Sequence, residues 1–228
     1  MKSKLLFPPN NFLLKTSIED TCIPVGKIYC VGRNYIDHAI EMNEPVIKDE
    51  PFFFSKPPQS LTQENKIKYP NNTNKLHYEV ELVTLIGSEC KNINSEDSEK
   101  YILGYAVGID FTKRDLQEIA KKNRKPWDLS KGFDNSAPIS LINISKNKII
   151  KHGRIELSIN GITKQSGNIS EMIWPVNDLI SYLSSHITLY PGDIIFTGTP
   201  SGVGEINVGD SLEASINNIG RLHLVITE

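Results

Sequence analysis

Two glutamates stand at alternate positions in the segment Leu76-His77-Tyr78-Glu79-Val80-Glu81-Leu82-Val83, and a third carboxylate, Asp110, ends a later apolar run. Side chains alternate along an extended chain, so a strand here puts His77, Glu79, Glu81 and Val83 on one face. Alternate Cβ atoms lie roughly 7 Å apart, which lets both carboxylates bend toward one point. Unneutralised, they repel and raise each other's pKa; a divalent cation removes that penalty. Carboxylates without thiolates suit a hard ion such as Mg²⁺ or Mn²⁺, which keeps waters in its octahedron and leaves positions open for a substrate. Plainer readings exist. A solvated strand face also carries glutamate, and Asp110 is placed to cap or turn into the next helix, where Thr112 and Asp115 resemble a capping pair. Against these, Asp110 follows Tyr101 to Ile109, a run that reads as a buried strand, and an ionised carboxylate at its end needs a partner.

A second constellation lies in Arg33-Asn34-Tyr35-Ile36-Asp37-His38-Ala39-Ile40-Glu41. It follows an expected strand, and Asn34 is placed to cap a helix that Pro45 makes hard to extend. His38 and Glu41, three residues apart, then share a helical face. A carboxylate that orients an imidazole raises its basicity and lets it take a proton from water near neutral pH. An exposed polar turn has the same spacing. Arg114 and Gln117 repeat it on a helix expected directly after Asp110, with Lys131 shortly beyond, and such cationic and amide groups suit a small dianionic substrate, arginine as a bidentate clamp. Solvated surface charge is the alternative for both cations. The segment from Pro191 to Gly204 reads as turn, strand and glycine-rich loop, where backbone N–H groups can approach an anion and Thr199 can donate its hydroxyl. It lacks the GK[ST] ending of a nucleotide-binding loop, and a plain tight turn has the same composition.

These groups need a scaffold, and the pattern supplies a strand-rich one. Short β-branched runs alternate with Gly, Pro and Asn clusters, giving expected strands at 27–32, 51–55, 79–87, 103–110, 137–142, 154–160, 193–198, 211–216 and 221–227. Helices are expected over 35–43, 113–123 and 177–185. No regular strand–helix alternation runs through the chain, so the fold class is mixed, β-rich α+β, not a doubly wound sheet. Asn160-Gly161 between Ile159 and Ile162 signals a hairpin. At 228 residues the chain makes one domain of generous size, or one domain with a small N-terminal extension.

A formal net charge of −2 leaves no electrostatic footprint for nucleic acid or an anionic membrane surface. Cys22, Cys30 and Cys90 form no CxxC pair and no closed disulfide set, and no run approaches the roughly 18 apolar residues of a membrane span. The expectation is a soluble cytoplasmic protein.

In register, VGRNYxxHxxE at 31–41, FSKP at 54–57, LHYEVEL at 76–82, GYxxGxD at 104–110, TxRDLQ at 112–117, PWxLSKGFD at 126–134 and GDxIxTGTPxGVG at 192–204 resemble the fumarylacetoacetate hydrolase family. The nearest likeness is to its short branch of acylpyruvases, oxaloacetate decarboxylases and oxaloacetate tautomerases. The resemblance implies a homodimer built on a β-sandwich or β-roll with a few short helices, in which residues 1–26 form an N-terminal extension packed on a catalytic unit at 27–228. On the same likeness a Mg²⁺ or Mn²⁺ ion is held by Glu79, Glu81 and Asp110. It implies His38 and Glu41 as a water-activating dyad, Lys131 as a catalytic cation, and Arg33, Tyr35, Arg114, Gln117 and Thr199 as substrate contacts. The implied substrates are small 2-oxo or 2,4-dioxo acids, reacting through a pyruvate enolate held at the metal. An isomerase or decarboxylase of the 2-hydroxyhepta-2,4-diene-1,7-dioate type uses the same cradle, and a non-catalytic, metal-stabilised binding module is the alternative from another class. One departure is Ser55, where the FxKP motif often carries Leu or Met, which implies altered packing near the site.

Overall fold

Alternating and fully apolar β-branched runs pair here into two main sheets that share a core. The structure is a computed structural model that describes residues Leu6, Pro8, 12–42 and 50–228. A six-stranded sheet runs in the order Asn143–Ile144, Ile102–Ile109, Val80–Ile86, Ile194–Phe196, Ile28–Gly32, Phe52–Lys56, antiparallel except for the parallel pairing of Ile194–Phe196 with Ile28–Gly32. A five-stranded sheet runs in the order Ile162–Asn168, Arg154–Ile159, Ser211–Ile216, Gly220–Thr227, Lys66–Lys68. Leu82, Tyr105 and Val107 of the first sheet meet Leu157, Leu212, Ala214 and Leu224 of the second in one buried cluster. The opposite face of the six-stranded sheet, with Ile28, Val83, Leu85 and Phe196, is covered as well, partly by Leu14 of the Leu13–Lys15/Cys22–Pro24 hairpin. The Val80–Ile86 strand is therefore buried at every residue, which explains its nearly continuous apolar sequence. Residues 1–5, 7 and 9–11 of the expected N-terminal extension lie outside the described residues.

The β-rich class is the one expected from the sequence, and several boundaries move. The 76–83 segment is not one strand. It breaks at Glu79, with Leu76–Tyr78 pairing Thr112–Lys113 and Gly204–Ile206 in a small third sheet while Val80–Ile86 enters the six-stranded one. In place of a strand over 137–142 there is a two-residue pairing at Ala137–Pro138 followed by single bridges. The Asn160-Gly161 hairpin forms, both residues at positive φ, as its turn type requires. Its second strand, Ile162–Asn168, went unpredicted because Thr163-Lys164-Gln165-Ser166-Gly167-Asn168 carries no apolar alternation.

Helices occupy Ile36–Glu41, Arg114–Lys122 and Val176–His186, with an unexpected short one at Asp128–Lys131. The end of the expected 35–43 helix lies outside the described residues. Asn34 does not cap it. Tyr35 takes that position without a side-chain bond, while Asn34 donates to Trp174 O (2.9 Å) and Thr197 O (2.7 Å) and accepts from Trp174 N–H (2.7 Å). Fully buried, it pins the segment carrying His38 to two distant loops. Asn34→Ala strands those partners, so we expect chemical denaturation to show a loss of about 2–4 kcal/mol, summing desolvation of the groups left unpaired. None of the described helices is long and apolar enough to cross a membrane.

Candidate functional site

The break at Glu79 makes the site. Where the chain leaves one sheet and enters the next, Glu79 C=O accepts from Asp110 N–H at 2.8 Å, which docks the end of the Ile102–Ile109 strand beside the two glutamates. Carboxylate oxygens of Glu79, Glu81 and Asp110 all lie within 4.8 Å of one another, and all three residues are buried. The solvated-face reading of the glutamates fails on that burial. The capping reading of Asp110 fails too, because the helix starts four residues later at Arg114 and its N-cap is Lys113.

Three buried cations surround the acids. Lys131 Nζ bridges Glu79 Oε2 (2.9 Å) and Asp110 Oδ2 (2.7 Å), and Arg114 hydrogen-bonds Glu79 Oε1. Burial opposes ionisation of Glu79, yet Lys131, Arg114 and His38 hold its carboxyl below the usual range. Burial likewise opposes the charge on Lys131, and Asp110 and Glu79 more than restore it, leaving its pKa raised. Glu81 is different. It takes one hydrogen bond, from Gly198 N–H at 2.7 Å, while burial first and then Asp110 and Glu79 push its pKa well up.

Lys56, which sequence reasoning left without a role, lies with its Nζ 2.8 Å from Asp110 Oδ1. The same Nζ lies within hydrogen-bonding distance of Phe111 O (3.2 Å), Ser136 O (3.1 Å), Ser136 Oγ (3.0 Å) and Lys131 O, which compete for its three protons. Asp110 Oδ1 is thus buried next to positive charge but accepts no aligned hydrogen bond. An oxygen in that state, clustered with two further carboxylates, fits a hard divalent cation with oxygen ligands. In the sequence Lys56 stands out only as a member of the FSKP motif at 54–57, with no role attached, since a lysine shortly after three phenylalanines otherwise reads as a strand end. Ser55 beside it is exposed and lines an open cleft with Phe54, Trp127 and Lys131.

A cavity opens above the acids, lined by His38, Glu79, Glu81, Arg114, Gln117, Lys131 and Thr199, with Arg33, Phe54, Lys121 and Trp127 at its sides. His38 Nδ1 is 3.3 Å from Glu41 Oε2, so the expected pair forms. Glu41 also accepts from Gly202 N–H at 3.0 Å, tying the helix to the glycine-rich loop. Burial lowers the His38 pKa, against the opposing pull of Glu79 and Glu41. Arg114 does not stand free as a clamp: Nη1 donates to Gln117 Oε1 at 2.5 Å, Nη2 to Glu79, and Nε lies 3.4 Å from His77 Nδ1. Burial and then Arg114 push His77 down to about 4, which keeps its ring neutral. Arg33 adopts a left-handed backbone (φ 61°), with its guanidinium 5.9 Å from the Phe52 ring centre. Tyr35 is buried, with burial and then the charge of Glu81 raising its hydroxyl pKa, and it also lines a second cleft with Ser170, Glu171 and Trp174.

An acidic triad that could hold a metal ion thus lies beside a polar cavity, with cations and an imidazole–carboxylate pair alongside. Residues 27–227 match the family model described as the fumarylacetoacetate (FAA) hydrolase C-terminal domain, and the chain belongs to the fumarylacetoacetate hydrolase family. The mitochondrial oxaloacetate decarboxylase of Dictyostelium discoideum is 43% identical over 197 residues, 85% of this chain and 89% of that protein. The mitochondrial oxaloacetate tautomerase FAHD1 of Arabidopsis thaliana is 42% identical over 199 residues, covering 86% and 88%. The crystal structure of fumarylpyruvate hydrolase from Pseudomonas aeruginosa, in complex with Mn²⁺ and pyruvate, superposes with a TM-score of 0.94 at 38% identity, covering 98% of this chain and 99% of that one.

Proposed function

We propose that the protein is a Mg²⁺- or Mn²⁺-dependent enzyme of small 2-oxo acids that hydrolyses an acylpyruvate, or decarboxylates or tautomerises oxaloacetate. The observation that carries this is one cavity lined by His38, Lys131, Glu79 and Glu81, with Glu41 paired to His38 and Asp110 completing the acidic triad beside it. Glu79, Glu81 and Asp110 would hold the ion. When bound, it supplies Lewis-acid stabilisation for negative charge building on the 2-oxo oxygen.

The protein's own groups do the rest. Gln117 Oε1 is taken by Arg114, which leaves the amide Nε2 to donate toward substrate. Thr199 offers a hydroxyl, and Arg33 stands at the cavity's side for a more distant anionic group. In hydrolysis, His38, oriented by Glu41, takes a proton from water as its oxygen attacks the distal carbonyl carbon. The C–C bond next to that carbon then breaks, its electron pair stays with the pyruvate enolate, and the carboxylic acid departs; the enolate takes up a proton to give pyruvate. In decarboxylation the same enolate is left by carbon dioxide and no attacking water is needed. Tautomerisation asks only for proton removal and return beside the 2-oxo group. Lys131 stabilises oxyanion charge throughout, a task worth ~3–4 kcal/mol for a preorganised donor.

On the family likeness we also take residues 27–228 as the catalytic unit, residues 1–26 as its extension, and the working form as a cytoplasmic homodimer, which light scattering and cell fractionation test. The reaction itself is tested by supplying oxaloacetate, an acylpyruvate and a hydroxyheptadienedioate with and without Mg²⁺ or Mn²⁺, following pyruvate release and enol absorbance. Metal-dependent turnover of either of the first two substrates supports the proposal. Turnover of the third alone moves the assignment to the isomerase type, and the absence of metal-dependent turnover of all three sinks the proposal.

A pH profile gives a sharper check. Because burial lowers the His38 pKa, the neutral, proton-accepting ring persists below the ordinary imidazole value of about 6.5. Acylpyruvate hydrolysis, followed as kcat/KM, is expected to stay level as pH falls through about 6.5 and to drop only below it. Glu41 pulls that pKa upward, so Glu41→Gln moves the acid limb lower still while reducing the rate by about 10- to 100-fold. A limb that stays at or above pH 6.5 contradicts the assignment of His38 as base.

A further inference from the structure

Gln165 is the one buried residue of the Ile162–Asn168 strand. Its side-chain amide joins three pieces of the site's surroundings. Oε1 accepts from Val80 N–H at 2.9 Å, and Nε2 donates to Thr199 Oγ1 and to Pro200 O, each at 2.8 Å. Val80 is the residue between Glu79 and Glu81, at the point where the chain changes sheets.

A hydroxyl carries one proton and two acceptor sites, whereas an amide nitrogen only donates. Thr199 Oγ1 must therefore accept from Gln165, which leaves the hydroxyl's own proton unspent. Among the described residues Thr199 Oγ1 gives that proton to no acceptor, and the residue lines the cavity of the carboxylates while being 2% exposed. We propose that Gln165 is a positioning residue that fixes Thr199 as a donor to the anionic group of the substrate. It also ties that donor to the backbone carrying Glu79 and Glu81, so the distance between substrate anchor and acidic triad is set by one side chain. The inference rests on the function proposed above and deepens it by naming what orients the anchor.

Gln165→Glu keeps the acceptor for Val80 N–H but, once ionised, only accepts, and so turns the Thr199 proton away from the substrate. The expected result is a KM raised about 10- to 30-fold, the scale of one hydrogen bond to a charged group, with kcat within about threefold. Mn²⁺ affinity, read by electron paramagnetic resonance, stays within about threefold, since the triad is untouched. Thr199→Val reproduces the KM change, Thr199→Ser avoids it, and the Q165E/T199V double variant is no worse than T199V alone. A purely structural amide behaves otherwise, lowering kcat and melting temperature with KM unmoved, or multiplying its loss with that of T199V; either result overturns the proposal. Should Q165E fail to fold, equal KM values for T199V and T199S overturn it, and a rise confined to T199V upholds it. Wild-type turnover with KM unmoved in these variants defeats this inference alone, whereas absence of wild-type turnover on the substrate panel defeats the function beneath it.

Discussion

Replacing Glu81 with glutamine is expected to stabilise the metal-free protein while removing its metal-dependent turnover. Glu81 is buried, takes a single hydrogen bond among the described residues, from Gly198 N–H, and faces two other carboxylates. Lys131 bridges the other two acids and not this one. Burial, Asp110 and Glu79 raise its folded pKa far above that of the unfolded chain. The protonated form is thus the one the fold prefers, and its contribution to stability is full below the unfolded carboxyl pKa and fades as pH rises through the folded one. Glutamine cannot ionise and still offers an oxygen to Gly198, so it escapes that loss. We expect the melting temperature without metal to rise by about 2–5 °C at neutral pH. Turnover should fall by about 10³-fold or more, the scale on which electrostatic stabilisation of the transition state is lost. Added Mn²⁺ should raise the wild-type melting temperature by mass action and leave that of E81Q in place. Glu79→Gln provides the opposite sign, because it takes a partner from buried Arg114 and Lys131 and so destabilises. Equal metal protection of E81Q and wild type in calorimetry would remove Glu81 from the ligand set.

The second large effect separates the reactions. His38→Ala should lower acylpyruvate hydrolysis by about 10²- to 10⁴-fold, the range of general-base catalysis, because only that reaction must activate water. Oxaloacetate decarboxylation, which sheds carbon dioxide without an attacking nucleophile, should remain within about tenfold of wild type. Oxaloacetate tautomerisation stands between the two, since a proton must still leave and return. The contrast cannot come from misfolding, which would reduce every reaction together. Purified His38→Ala that hydrolyses an acylpyruvate at the wild-type rate would discard the dyad, and equal losses in hydrolysis and decarboxylation would recast His38 as a substrate-binding group.

Patterns that depend on neighbours in sequence were legible. The HxxE spacing brings His38 Nδ1 to 3.3 Å from Glu41, and the Asn-Gly pair turns the 154–168 hairpin. The acidic triad was also visible, because buried carboxylates converge only where something neutralises them. The change of sheets at Glu79 was not, since the period-two alternation of polar and apolar side chains continues through the break. Asn34 misled through a local rule: it stands where a helix cap belongs, but its partners lie 140 and 163 residues away. Gln165 gave no signal at all, and Lys56 was marked only as part of the FSKP motif, without a role. A glutamine in a polar strand and a lysine after aromatics look like surface residues until long-range pairing buries them. Arg114 was placed correctly at the cavity but given too simple a task, as its guanidinium is already engaged by Glu79 and Gln117.

The break at Glu79 puts the ligand-holding carboxylates on the seam between two sheets, so an ion seated there would act as a rivet through two plates. Heat resistance and chemistry then draw on the same three side chains, and anyone retuning this protein for another ion will change how firmly its halves hold together.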